Sequence, residues 1–336
     1  MPPELIVFGI LAIGAVLYVL LGGADFGAGI WELNSAFQSP DDERRFLFGA
    51  IGPVWEANHV WLIFVLILLW TAFPPVFAGL CRALWLPLLL ALAGILFRGV
   101  GFAFHINGVG GVRQQAFWGA VFALASAAAP FFLGAAFGAG MSATLAIDER
   151  GDFHGNYLTT WLSPLAIFSA FFFVGVCAYL AAVYLTREAA MAHRTSLLHL
   201  WQQRALTTGI WMGLLAMTGL VLIYTEVPHM WTAFLTRSWP LVALSMASGA
   251  ASLLALWRCR TTLATATAIL AVISVIVGWG AAQYPYLIAP GLTIYNAASP
   301  ANVLWLMIIG LTVGMLLLLP SLWYLFHLFK SHRYTI

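Results

Sequence analysis

LIVFGILAIGAVLYVLLGGADFGAG, residues 5–29, decides the fold: twenty residues pass without a charge before an aspartate arrives at position 25. A helix rises about 1.5 Å per residue and a bilayer's hydrocarbon core is about 30 Å thick, so a run of this length spans a membrane. No basic segment precedes it and no small-residue cleavage site closes it, so it reads as a permanent span and not as a signal peptide. The same ruler finds nine candidate spans, near residues 5–24, 50–73, 77–101, 116–140, 161–185, 205–224, 240–257, 263–282 and 302–327. Between the seventh and eighth, Arg258-Cys259-Arg260-Thr261-Thr262 is polar and doubly basic, which predicts a tight turn and not one continuous helix.

Composition agrees. Of 336 residues, 62% are hydrophobic and 8% charged, and the mean hydropathy is +0.95. An ordinary soluble domain carries about 25% charged residues. The expected class is all-α: a polytopic integral membrane protein, one transmembrane domain over residues 1–336, its nine helices in a bundle. A large soluble domain has no room, the longest connections falling near 141–160, 186–204 and 283–301, and nothing points to nucleic acid. The stretch 283–300, rich in Tyr and Pro, reads as an ordered loop over the outer helix ends. Cys81, Cys177 and Cys259 lie far apart without metal-binding spacing and read as packing residues.

Charge sets the orientation. Cytoplasmic loops of membrane proteins collect Lys and Arg. With the N-terminus periplasmic and the C-terminus cytoplasmic, the inner segments hold Arg44, Arg45, Arg113, Arg187, Arg194, Arg204, Arg258, Arg260, Lys330 and Arg333, ten of the fourteen basic residues. The outer segments hold Arg150 and Arg237, with Arg82 and Arg98 inside a span.

Against that apolar background, Asp25, Glu56 and Arg98 stand out. A charge at the bilayer centre costs about 2.5–3.5 kcal/mol on insertion scales, so such residues have a partner or a task. The alternating directions of the first three spans put all three near one depth, toward the cytoplasmic side. Two carboxyls and one guanidinium do not cancel. Arg98 holding one acid ionised while the other keeps a proton makes a proton relay, with Glu56 as the better carrier and Asp25 sharing the role. A buried ion pair that fixes helix register is the structural alternative. His59, one turn after Glu56, extends that path, touches a cofactor edge or hydrogen-bonds a neighbour. Trp55, beside Glu56, is the side chain to test for packing against a cofactor. His59 and His327 sit at opposite ends of the chain, which argues against haem ligation by this chain alone, and no metal site of protein ligands is expected. Gly23 with Gly27, and Gly134 with Gly138, form small faces suited to close helix packing.

Three segments, GADFGAG (23–29), GPVWEANHVWLI (52–63) and FRGVGF (97–102), resemble subunit II of the cytochrome bd-type quinol oxidases, the cyanide-insensitive branch included. Asp41-Asp42-Glu43-Arg44-Arg45 precedes the second segment much as in that family, and LTIYNAASP (292–300) is a weaker second anchor. The chain departs at Glu56, where many members have Asp, at Gly99, where others have Pro, and at Ala103-Phe104-His105, where others are more charged. The resemblance implies a heterodimer in the bacterial inner membrane with a larger subunit I. That partner would ligate two b-type haems and a haem d, or a further haem b, oxidise quinol and reduce oxygen to water. Small single-helix accessory subunits, quinone and lipids are its other expected partners. This chain would lack catalytic residues, support haem assembly and help deliver cytoplasmic protons through Glu56, Asp25, Arg98 and His59, with Trp55 at a haem edge. The rival readings are a proton-coupled secondary transporter and a pure assembly scaffold.

Overall fold

The computed structural model describes residues 1–38, 41–51, 55–106, 111–142, 145–148 and 150–331; within these, the side chains of 34–38, 41, 51, 55–58, 106, 112, 229, 322 and 325–331 lie outside the description. Thirteen α-helices carry almost all of it. In chain order they are α1 (Pro3–Gln38), α2 (Asp41–Ile51), α3 (Trp55–Ala72), α4 (Pro74–Ala83), α5 (Trp85–Ile106), α6 (Val112–Met141) and α7 (Tyr157–Trp161). There follow α8 (Pro164–Met191), α9 (Thr195–Glu226), α10 (Pro228–Ala233), α11 (Trp239–Trp257), α12 (Thr261–Gln283) and α13 (Ala301–Ser331). A π-helical turn, Phe234–Ser238, joins α10 to α11.

Eight described helices are long and apolar enough to cross a membrane, and nine crossings result if α3 from His59 and the bent α4 count as one. That matches the nine expected spans. Pro74 and Pro75 start α4, and the chain turns by 116° between the two helices. The third span therefore runs over α5, residues 85–106, and not over 77–101. Arg82, expected inside that span, sits exposed in the last turn of α4 and pairs with Asp152. The stretch 186–204 is no long connection: three residues link α8 to α9, because both helices continue past the lipid ruler. His193 makes that turn at φ 53°, and Cys259 makes the predicted turn between α11 and α12 at φ 54°. In each, backbone N–H groups close back on the helix end, as from Arg260 to Ala255 O at 2.8 Å.

Neighbouring spans pack in sequence, α5 on α6, α8 on α9 and α11 on α12, while α1 lies against α3, α6 and α8. The small faces work as expected. A Cβ on Gly27 would land on the Cys177 carbonyl of α8, and one on Gly138 would stand 2.6 Å from the Ser169 side chain. At the end of the bundle away from α2, β1 (Tyr286–Ile288) pairs antiparallel with β2 (Leu292–Thr293). Ile288, Leu292 and Ile294 are buried there, and Ser299 donates to Ala72 O and Thr71 O, so this loop is ordered as expected. In the loop before α7, Asp148 accepts from the backbone of Arg150 and Asp152, and its bond with His154 holds its carboxyl below the usual range. Only Cys177 is buried; Cys81 and Cys259 are exposed, which corrects the reading of all three as packing residues.

Candidate functional site

The first helix carries a polar stripe. Tyr18, Asp25 and Glu32 follow at seven-residue intervals, and seven residues are two turns less about 20°, so the three lie along one line of α1 with neighbours about 10 Å apart. All three are buried: Tyr18 is 7% exposed, Asp25 5% and Glu32 0%. Opposite Asp25 comes Arg98 of α5, 1% exposed, with its guanidinium 5.3 Å from the Phe26 ring centroid and 5.6 Å from that of Phe122. Asp25 and Tyr18 act on Arg98 electrostatically. The apolar rings shield this charge from water, and the cation gains from both ring faces.

His59 of α3 completes the group. Arg98 Nη1 donates to His59 Nε2 at 3.2 Å. A guanidinium has no acceptor, so Nε2 must accept and the imidazole proton sits on Nδ1. That Nδ1 is buried and has no hydrogen-bond partner among the described residues, and neither has the Tyr18 hydroxyl. The imidazole lies 5.5 Å from Phe26 and 6.4 Å from Tyr18, ring to ring. The structure thus brings Asp25, Arg98 and His59 together at the junction of α1, α3 and α5. Glu56 and Trp55 open α3 one turn earlier, but both side chains lie outside the described residues.

Two further buried acids, Glu32 of α1 and Glu43 of α2, were not singled out as site residues from the sequence. Glu32 Oε1 accepts from Arg44 Nε at 2.8 Å and from Nη2 at 2.5 Å, while Oε2 is buried without a partner among the described residues. Glu43, 3% exposed, accepts from Arg204 at 2.5 Å, and Arg204 stands over Trp31 and Trp201 at 5.2 and 4.6 Å. Asp42 accepts from Arg194 at the surface, at 2.8 Å. Consecutive residues of α2 are thus tied to the turn before α9, to α9 itself and to α1. The available signal was the seven-residue interval from Asp25 to Glu32, but a span ended at residue 24 leaves Glu32 outside it.

Could this chain hold a haem or a metal? His59 does not fit an axial ligand: its Nε2 faces Arg98, and its ring is wedged between Phe26 and Tyr18. His327 lies outside the described side chains, and no group of three or more His, Cys, Asp or Glu among the described residues could hold a metal ion.

The family model for cytochrome bd terminal oxidase subunit II matches residues 3–329. The chain belongs to that family. Among curated subunits II of this family, cytochrome bd-I ubiquinol oxidase subunit 2 of Escherichia coli K12 is 30% identical over 180 residues, 53% of this chain and 46% of that protein. Cytochrome bd ubiquinol oxidase subunit 2 of Bacillus subtilis is 33% identical over 131 residues, 39% of this chain and 38% of that one. The aligned part spans about half the length of these relatives or less. A chain of the bd oxidase from Geobacillus thermodenitrificans has the same fold, with a TM-score of 0.80 and 22% identity over 99% of this chain and 100% of that one. The subunit II fold is a bundle of membrane helices, and the buried Asp25–Arg98–His59 group lies inside it.

Proposed function

We propose that this chain is the subunit II of a quinol:oxygen oxidoreductase in a bacterial inner membrane, and that it hands cytoplasmic protons toward a haem-bearing subunit I. One observation carries the reading: a guanidinium, a carboxylate and an imidazole share a buried junction of three spans in a member of the bd oxidase subunit II family. Haems b and d, or b alone, held by the partner, supply the oxygen chemistry. This chain's own residues do three things. Arg98 sets its positive charge against Asp25 in an apolar interior. His59, with its proton on Nδ1, and the Tyr18 hydroxyl present two donors to water held in the junction. Glu56, one turn from His59, takes and releases the proton.

Glu32 and Glu43 extend this line toward α2, so protons enter past the Arg44 and Arg204 pairs. The stripe spacing of about 10 Å needs bridging water between acids. Taking protons from the inner side while electrons enter from the outer side separates charge, worth about 2.3 kcal/mol per elementary charge and 100 mV. The largely exposed stretch 301–321 of α13 supports a partner or lipid contact.

Glu56→Gln and Asp25→Asn in the intact complex test the relay. Quinol-driven oxygen uptake should fall roughly 10²-fold, the usual effect of removing a proton-transfer group, with the haem absorption bands at full height. Unchanged turnover with full haem ends the relay. Lost haem bands instead assign these residues to assembly.

A further inference from the structure

At the bundle end away from α2, the tips of α6 and α12, the helix α10, the π-helical turn and the β1 strand enclose a half-open cavity of about 470 Å³. Its walls are mainly apolar, from Met141, Met230, Ala282 and Tyr286, with Arg237 and Gln283 as its distinctive polar members. Arg237 is exposed, and its Nη1 donates to Tyr284 O at 2.9 Å. That leaves further guanidinium donors for an anion. Gln283 is 8% exposed, and its Nε2 donates to Leu287 O at 2.9 Å. This bond fixes which end of the amide is which. The acceptor Oε1 is buried with no hydrogen-bond partner among the described residues. A buried orphan acceptor on a cavity wall asks for a donor.

We infer that this cavity binds a phospholipid headgroup, with Arg237 on the phosphodiester and Gln283 Oε1 accepting from a headgroup hydroxyl or ammonium. The two demands together, an anion and a hydrogen-bond donor on one molecule, are met by phosphatidylglycerol and phosphatidylethanolamine. Phosphatidylcholine carries the phosphate but has no donor. The position favours a lipid over a dissolved anion, because the cavity lies where α6 and α12 reach their ends and its walls suit acyl and glycerol carbons. A lone, exposed guanidinium holds a free phosphate weakly in water. The site is braced from below: Ser238 donates to Gly278 O at 2.7 Å, tying the π-helical turn to α12. Leu165, Val227, Met230 and Phe234 pack beneath it.

Native mass spectrometry of the intact complex, delipidated and then offered single phospholipids, tests this. Phosphatidylglycerol and phosphatidylethanolamine should be retained about tenfold more strongly than phosphatidylcholine, the ratio expected for one hydrogen bond. Gln283→Leu should erase that preference and leave phosphatidylcholine binding unchanged. Arg237→Gln should weaken all three lipids alike, and the Gln283 variant covers the case that loss of the Tyr284 contact unfolds the turn. Equal retention of the three lipids by the unaltered protein overturns the proposal. So does a Gln283→Leu protein that still discriminates. Displacement of the lipid by millimolar inorganic phosphate assigns the site to a free anion and overturns the lipid reading.

Discussion

Arg98 is the residue on which the buried site turns. It is 1% exposed, sandwiched by Phe26 and Phe122, and set against Asp25 and His59 from two other helices. Removing one partner of a buried ion pair strands the other's charge, which costs about 3–5 kcal/mol. Arg98→Met should therefore lower the thermal midpoint of the purified complex sharply. Adding Asp25→Asn to it should recover part of that loss, because the stranded carboxylate is then neutral; strictly additive losses would show that the two residues do not couple. Asp25, Arg98 and His59 were legible in the sequence because each is a polar interruption of an apolar run. Tyr18 and Glu32 were not. A tyrosine is at home in any span, and Glu32 follows a tryptophan at the distance where a 20-residue ruler has already ended.

Helix α2 shows how one element depends on where its charges lie. Glu43 and Arg204 have side chains 4% and 13% exposed, whereas Asp42 and Arg194 are 67% and 47% exposed. Exposed pairs contribute about 0–1 kcal/mol, and breaking a buried one costs several times more. Arg204→Ala should thus destabilise the complex by about 3–5 kcal/mol and Arg194→Ala by under about 1 kcal/mol, measured by thermal or denaturant unfolding. Comparable losses from both would mean that α2 is not anchored through Glu43. The contact of α1 with α8 permits a second comparison. Gly27→Ala puts a methyl into the Cys177 carbonyl, whereas Gly9 has nothing within 4 Å of its missing Cβ. Overpacking costs about 1–3 kcal/mol, so Gly27→Ala should lower the unfolding midpoint and Gly9→Ala should not. The glycine spacing around Asp25 announced the first contact. Helix lengths were harder to read, since α8 and α9 run beyond the lipid on residues that favour helix in water as well.

Across the whole molecule, one axis organises the chain. Counting α3 with α4 as one crossing, nine spans alternate in direction along the described chain. Eight of the ten basic residues assigned inward have described side chains, and these cluster at the α2 end; three, Arg82, Arg150 and Arg237, lie at the other. This arrangement was readable because hydropathy and Lys/Arg placement are properties of long stretches, insensitive to the exact helix ends. The bend after Ala72 was not readable, since an apolar run through Pro74 and Pro75 looks the same whether it turns or continues. The protein carries its own probes of the axis. Cys81 is exposed at the end of α4 and Cys259 at the turn between α11 and α12, on opposite sides, while Cys177 is buried. If the α2 end faces the cytoplasm, a membrane-impermeant maleimide should label Cys81 in right-side-out vesicles and Cys259 in inside-out ones. Cys177 should react only after unfolding. The inverse pattern would turn the molecule over and place the Glu32 approach on the outer side, against inward proton uptake. Labelling of both exposed thiols from one side would require an even number of crossings between them, which α5, α6, α8, α9 and α11 do not allow.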